Sequence, residues 1–336
     1  MRPGTIVLSL LAFVAAGCHQ GVNKSGGPTG PTDVVAGAPG FLAFRASPIA
    51  LSEIRFITPL GNLNPPAHTI PTDHIYFYFA APDAGETPIG RRTDFFAPAD
   101  GVIRYVITTD PPDTKIGFQA SATLTYYVDH LIPSIPLTMG TKVTAGQRIG
   151  TSGSAYGIDL GVVNTDLTLA FANPSRYAIG DTLHADAPLK YFDEPLRSQL
   201  YSRVQRIGGE LDGQVNQDVA GRLAGNWYEE RTSTQIAFVF DTYDPSQIRI
   251  SIAAIGGVSR TGVFAVAPGD PSPRDVSVAS GPIVYTLTTS RSGPPVSGAP
   301  AGRLLVQMTD DQHLQVELVP SGGPASFTSN AVRYTR

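Results

Sequence analysis

The chain of 336 residues contains one cysteine, so it can form no internal disulfide and no cysteine-rich metal site. Charge is sparse as well: Asp, Glu, Lys and Arg make up 15% of the residues, against roughly a quarter in ordinary soluble domains. The formal net charge is -4, and the Lys and Arg residues are scattered, which leaves no basic field for a polyphosphate and excludes nucleic acid as the expected partner. Beyond the N-terminus, no apolar run approaches the roughly 20 residues of a spanning helix. What is plentiful is hydrophobic residues, at 42%, together with 35 Gly and 29 Pro. The first is too much for a disordered chain, and the second favours short strands joined by turns.

The first residues give the single cysteine its context. Met1-Arg2 precede an apolar stretch from Ile6 to Ala16, and the small residues Ala15-Ala16-Gly17 stand directly before Cys18. This is the layout of a secretory signal. The small residues before Cys18 resemble a bacterial lipobox, in which the cysteine is acylated and becomes the mature N-terminus; Ala15 departs from the Leu usual there. The resemblance implies lipidation at Cys18. His19 in place of Asp after the cysteine implies sorting to the outer membrane, facing the periplasm or the cell surface. Residues 19–40, rich in Gly, Pro, Ser and Thr, read as a flexible tether.

Residues 41–192 carry β-branched and aromatic runs broken by Gly, Pro and Asp: Ile54-Ile57, His74-Phe79, Gly101-Ile107, Lys115-Ala120, Ala122-Val128, Gln147-Thr151 and Ile158-Val163. Asp193 to Ile207 is the best helix candidate, with Asp193 as cap, Pro195 in the first turn and a stripe of Leu196, Leu200, Val204 and Ile207. It opens a helical connector over 193–223. Strand signals return in 224–336, where a second antiparallel unit, a barrel or a sandwich, is expected. The fold class is mainly β.

Three of six histidines lie in the first unit in polar company. His68, Asp73 and His74 fall within seven residues, and a turn at Pro71 can bring the two imidazoles together around a divalent metal. Within a regular strand Asp73 and His74 would point to opposite faces, so only one of them would reach an ion. A polar turn capping a hairpin is the alternative. His184 and His313 read as surface residues in turns. Trp227, in Gly225-Asn226-Trp227-Tyr228, reads as the base of a small core, and Tyr76, Tyr78, Tyr126 and Tyr127 read as core unless they line an exposed sugar-stacking face.

Phe96-Ala97-Pro98-Ala99-Asp100-Gly101-Val102-Ile103, then Tyr127-Val128-Asp129-His130-Leu131, then Gly140 to Gly150 with Ser152-Gly153-Ser154, stand in an order and at distances that resemble the lysostaphin and LytM class of zinc peptidoglycan endopeptidases. The resemblance covers about a third of the chain, from Ile54 to Leu167. It implies a LytM-like antiparallel β domain, one zinc ion, and peptidoglycan or another cell-wall peptide as partner, with membrane contact through the lipid anchor only. It also implies His68 as a ligand, Asp73 or His74 as another, and His130 as the catalytic histidine.

The sequence departs from the pattern at the closing strand. The family's two final histidines are replaced by Gly157 and Asp159. A permuted set of His68, His74 and Asp159, with Asp73 as the alternate ligand, keeps two imidazoles and one carboxylate. The expectation is therefore a zinc metallopeptidase-like envelope lipoprotein that hydrolyses or binds peptide cross-links. Two alternatives stay open: an inactive wall-binding or hydrolase-regulating module, supported by the loss at Gly157, and a carrier of a small ligand through the C-terminal barrel.

Overall fold

A computed structural model describes residues 42–80, 86–177, 180–257, 260–290, 300–319, 322 and 326–336. The signal segment, Cys18 and the tether lie outside the described residues.

The first unit is one antiparallel sheet. Its strands are β1 (Phe56–Thr58), β2 (His74–Tyr78), β3 (Asp94–Phe96), β4 (Gly101–Asp110), β5 (Asp113–Gln119), β6 (Leu124–Pro133), β7 (Lys142–Val143), β8 (Arg148–Ser152), β9 (Gly157–Asn164) and β10 (Ala185–Asp186). The main path runs β1-β2-β9-β6-β5-β4-β7, with β10 added on β9, β8 on β6 and β3 on β8. The runs read from the sequence coincide with these strands to within a few residues, except that β6 continues five residues further, through His130. That extension carries Asp129 and His130.

Period-two alternation splits the central strands into two faces. Ile75 and Phe77 of β2, Ile158, Leu160 and Val162 of β9, Tyr126 and Val128 of β6, and Ile116 and Phe118 of β5 all enter the core. The residues between them, His74, Tyr76, Asp159, Gly161, Tyr127, Asp129 and Lys115, share the opposite face, because the register pairs His74 with Gly161, Tyr76 with Asp159, Tyr127 with Gly161 and Asp129 with Asp159. Gly161 is required there: a Cβ would stand 2.1 Å from the Tyr127 ring. The tyrosine side chains are not a sugar platform, since Tyr76, Tyr126 and Tyr127 are buried.

The register between β5 and β6 breaks at one place. Thr114 pairs with Leu131 and Ile116 with Val128, so Lys115 opposes two residues, Asp129 and His130. This is a β-bulge, and His130 occupies it with φ +63°, a conformation uncommon for a side chain other than glycine. The bulge turns two consecutive side chains toward one site.

The connector is less helical than the sequence suggests. The helix α1 spans only Leu196–Tyr201, preceded by Pro195, and Asp193 makes no side-chain cap. Instead the Glu194 carboxylate accepts the Ser198 N–H at 3.2 Å. The helix stops because the backbone beyond it pairs with β1: Ile57 N–H donates to Arg203 O and Gln205 N–H to Ile57 O, both at 2.9 Å. Leu200 is buried, but Ile207 is 64% exposed and belongs to no buried stripe.

Eight strands, β11 (Gly225–Glu229), β12 (Gln235–Phe240), β13 (Ile248–Ile252), β14 (Gly262–Val266), β15 (Ile283–Ser290), β16 (Pro300–Met308), β17 (His313–Val319) and β18 (Val332–Thr335), form a closed antiparallel barrel. Pairing of Tyr228 with Thr335 and of Glu229 with Tyr334 closes it. The barrel rather than the sandwich is realised, and its interior is filled by Trp227, Phe238, Tyr285, Leu304, Tyr334 and their aliphatic neighbours. On its outside, Tyr228, Ala237, Val239 and Val263 join the core of the first unit. Hydrogen bonds from Thr242 Oγ1 to Leu60 O and between the Tyr243 and Thr58 hydroxyls, each 2.6 Å, fasten the barrel to the first unit.

Candidate metal and active site

Asp159 is the centre of the polar face. Its side chain is 4% exposed, and Oδ2 lies 3.3 Å from His74 Nε2 and 3.5 Å from His130 Nε2. Its other oxygen, Oδ1, is buried with no hydrogen-bond partner. Asp129, His130 and Asp159 each offer a donor atom, all within 4.8 Å of one another, and this buried group could hold a metal ion. A carboxylate oxygen left unpaired away from water is costly, and a cation in contact with it removes that cost.

Each imidazole is held from behind by a carboxylate. Asp73 Oδ1 accepts from His74 Nδ1–H at 2.9 Å and from the Tyr127 hydroxyl at 2.8 Å, while Thr182 donates to Asp73 Oδ2. Asp113 Oδ2 lies 3.3 Å from His130 Nδ1, and the Asp113 carboxylate also accepts from the Ser154 N–H and hydroxyl. Gly153 makes that contact possible, since a Cβ there would come within 1.9 Å of Asp113 Oδ1. A carboxylate on imidazole Nδ1 with Nε2 directed at the site is the arrangement that orients metal-binding histidines, and His74 Nε2 also meets the Tyr76 hydroxyl at 3.0 Å. Replacing Asp113 with Asn is therefore expected to weaken metal binding roughly 10- to 100-fold with little change in folding, measurable by competition against a chromophoric chelator.

Local charge sets the protonation states. Burial disfavours the His130 cation, but the Asp159 charge and the Asp113 hydrogen bond outweigh it and push the group up to about 9. His74 is raised for the same reason: the Asp159 and Asp73 charges overcome its burial. Burial raises Asp159 against the pull of both histidines. Asp73 shows the reverse balance, its hydrogen bond from His74 and the neighbouring cations holding it below the usual carboxylate range despite burial. His68 lies beside His74 with ring centroids 5.3 Å apart, and burial first, then the His74 charge, lowers it to about 3, so it is neutral.

A raised histidine stabilises the fold while protonated. The His130 contribution is complete below pH 6.5 and disappears as pH rises through about 9. Metal-free protein is accordingly expected to lose stability between those values, and His130→Ala to flatten the profile, in urea denaturation with chelator at pH 6 and pH 10.

The structure thus brings His74 to Asp159 and sets His68 against His74, while His130 contacts the same carboxylate. Among the described residues, the three donors within mutual reach are Asp129, His130 and Asp159, which share only Asp159 with the set His68, His74 and Asp159. The expectation that Asp73 and His74 point apart fails, because β2 begins at His74 and alternation does not govern the residue before it. Asp113 and Asp129 carry no role in the sequence reading, and Tyr127, read there as core or sugar-stacking, is a hydrogen-bond partner of Asp73. Asp129 had a signal in being adjacent to His130, but regular alternation sends the two to opposite faces. His313 is an exposed partner of Asp310, as expected of a turn, whereas His184 is half-buried with Nδ1 directed at Leu167 O.

No protein-family model matches the chain, and no curated protein matches it. Among solved structures it is similar to a zinc containing peptidase from Vibrio cholerae, with 14% identity over 37% of either chain and a TM-score of 0.30. It is also similar to Csd3 of Helicobacter pylori, at 16% identity, 46% of this chain, 35% of that one and a TM-score of 0.31. Lysostaphin aligns with 88% of this chain and 90% of its own at 12% identity and a TM-score of 0.30. The chain spans little more than a third of the first two proteins. Scores this low carry no argument, so function must be argued from the residues.

Proposed function

We propose that the first β unit is a zinc-dependent peptidase-type domain acting on peptide cross-links of the cell wall, in a protein lipid-anchored through Cys18 to the bacterial envelope. One observation carries the reading: a buried carboxylate, Asp159, with one oxygen unpartnered and two carboxylate-oriented imidazoles aimed at the other. The motif resemblance in residues 96–103 and 140–154 supplies the substrate class.

The donor set fits zinc, being imidazole and carboxylate oxygen. Asp129, His130 and Asp159 would hold the ion, which supplies Lewis-acid polarisation of a carbonyl and acidifies water when bound. The remaining work belongs to the chain. Asp113 fixes the His130 ring and Asp73 fixes the His74 ring. His74, outside the donor set, takes up and returns a proton at Nε2. This exchanges the roles that the motif resemblance implies for His74 and His130.

The test is zinc content and cleavage of cross-linked wall fragments by the full chain beside His130→Ala and His74→Ala. Loss of zinc in the first and retention of zinc with loss of cleavage in the second is the expected pattern. The reverse pattern returns His74 to the ligands. Zinc binding with no cleavage in any protein would favour the non-catalytic wall-binding module, the reading to which the bare Gly157 points.

A further inference from the structure

Gly157 leaves the site without the side chain that the motif resemblance places two residues before the last ligand, and no substitution there is free, since a Cβ would already come 3.2 Å from Phe77 O. A peptidase also needs a donor for the oxygen that becomes negative as the scissile carbonyl is attacked. The polar face also carries an ammonium, that of Lys115. Lys115 stands opposite the Asp129–His130 bulge, next to two of the three metal donors. Its ammonium lies over the Tyr127 ring, 3.7 Å from the centroid, and is ion-paired with Asp181 at 3.7 Å, a separation longer than a hydrogen bond. Among the described residues no acceptor lies within hydrogen-bond distance of it, so the ion-paired ammonium can still donate an N–H to a ligand.

The Lys115 side chain is partly accessible, 22% exposed, much as His130 is at 20%, whereas Asp159 is 4% exposed. The support beneath it is rigid. Tyr127 is held through its hydroxyl to Asp73, and Asp181 accepts from the Tyr105 hydroxyl at 3.1 Å.

Resting on the peptidase reading above, we propose that Lys115 is a catalytic residue, the hydrogen-bond donor to the oxygen of the scissile carbonyl in place of the side chain missing at Gly157. In the reaction the oxygen of water bonds to the carbonyl carbon and the C=O π pair moves onto the carbonyl oxygen, which accepts from Lys115 Nζ–H. When that pair returns, the C–N bond breaks and the departing nitrogen takes the proton given up by water. Lys115 keeps its own protons throughout.

The experiment uses the zinc-loaded full chain with Lys115→Met, which preserves the stem over Tyr127, and Lys115→Arg. Binding of a phosphinic peptide that mimics the tetrahedral carbon is compared with binding of the matching product peptide, and zinc content is measured in each protein. The expected result is a loss of about 10²- to 10³-fold for the mimic in Lys115→Met, with product affinity changed less than about twofold, zinc unchanged and partial recovery in Lys115→Arg. Equal weakening of both ligands, an unchanged mimic, or no mimic binding by the unmodified protein overturns the assignment. Selective loss of the mimic in a protein that cleaves no wall peptide would keep Lys115 as the donor and overturn the peptidase reading. Cleavage with zinc bound and an unaffected Lys115→Met would do the opposite.

Discussion

Asp159→Ala abolishes metal binding: its expected effect on zinc affinity exceeds the roughly 100-fold upper end for residues that merely orient a ligand. The argument rests on where the carboxylate sits. Asp159 is in contact with both imidazoles, and it pairs across the sheet with Asp129 on one side and Tyr76 on the other. Without it, His74 and His130 lose their common partner and the remaining donors lose their centre. Both ligand assignments contain Asp159, so elemental analysis of this variant tests the metal site itself, whichever histidine completes it. One zinc per chain retained in Asp159→Ala would remove the site from this face altogether. The same variant also predicts that the His130 ring falls back toward the ordinary imidazole range, since the Asp159 charge is the main influence raising it against burial; titration of the ring signals by NMR checks this.

Trp227→Ala is expected to destabilise the barrel by about 3–5 kcal/mol, the usual cost of emptying a fully buried aromatic site. Trp227 is wholly buried inside the closed barrel, its indole N–H donates to Leu223 O at 2.9 Å, and the Arg336 guanidinium lies 4.0 Å over its ring. The truncation therefore removes packing, a hydrogen bond and a cation–π contact together. Because outward-facing barrel residues belong to the core of the first unit, the loss is expected to appear in a single unfolding transition, monitored by calorimetry. A barrel that unfolds alone, leaving the metal site intact, would show the two units to be energetically separate.

The sequence by itself determined the strands and the material of the site. β-branched alternation marks β2, β4, β5, β6 and β9, the spacing of His68, Asp73 and His74 marks residues 68–74, and the motif resemblance adds residues 130 and 159. Alternation is a local property, so it can be read from local sequence. The connector departs from its helical spacing because β1 offers its backbone a strand partner in the folded protein. The tertiary structure alone decided which donors meet. Asp113 and Ser154 are 41 positions apart, and the contact between them, which holds Asp113 against His130, depends on Gly153 leaving room. Asp129 and His130 reach one ion site only because a bulge opposite Lys115 breaks the alternation, and a bulge is set by the register of two paired strands, which neither strand encodes on its own.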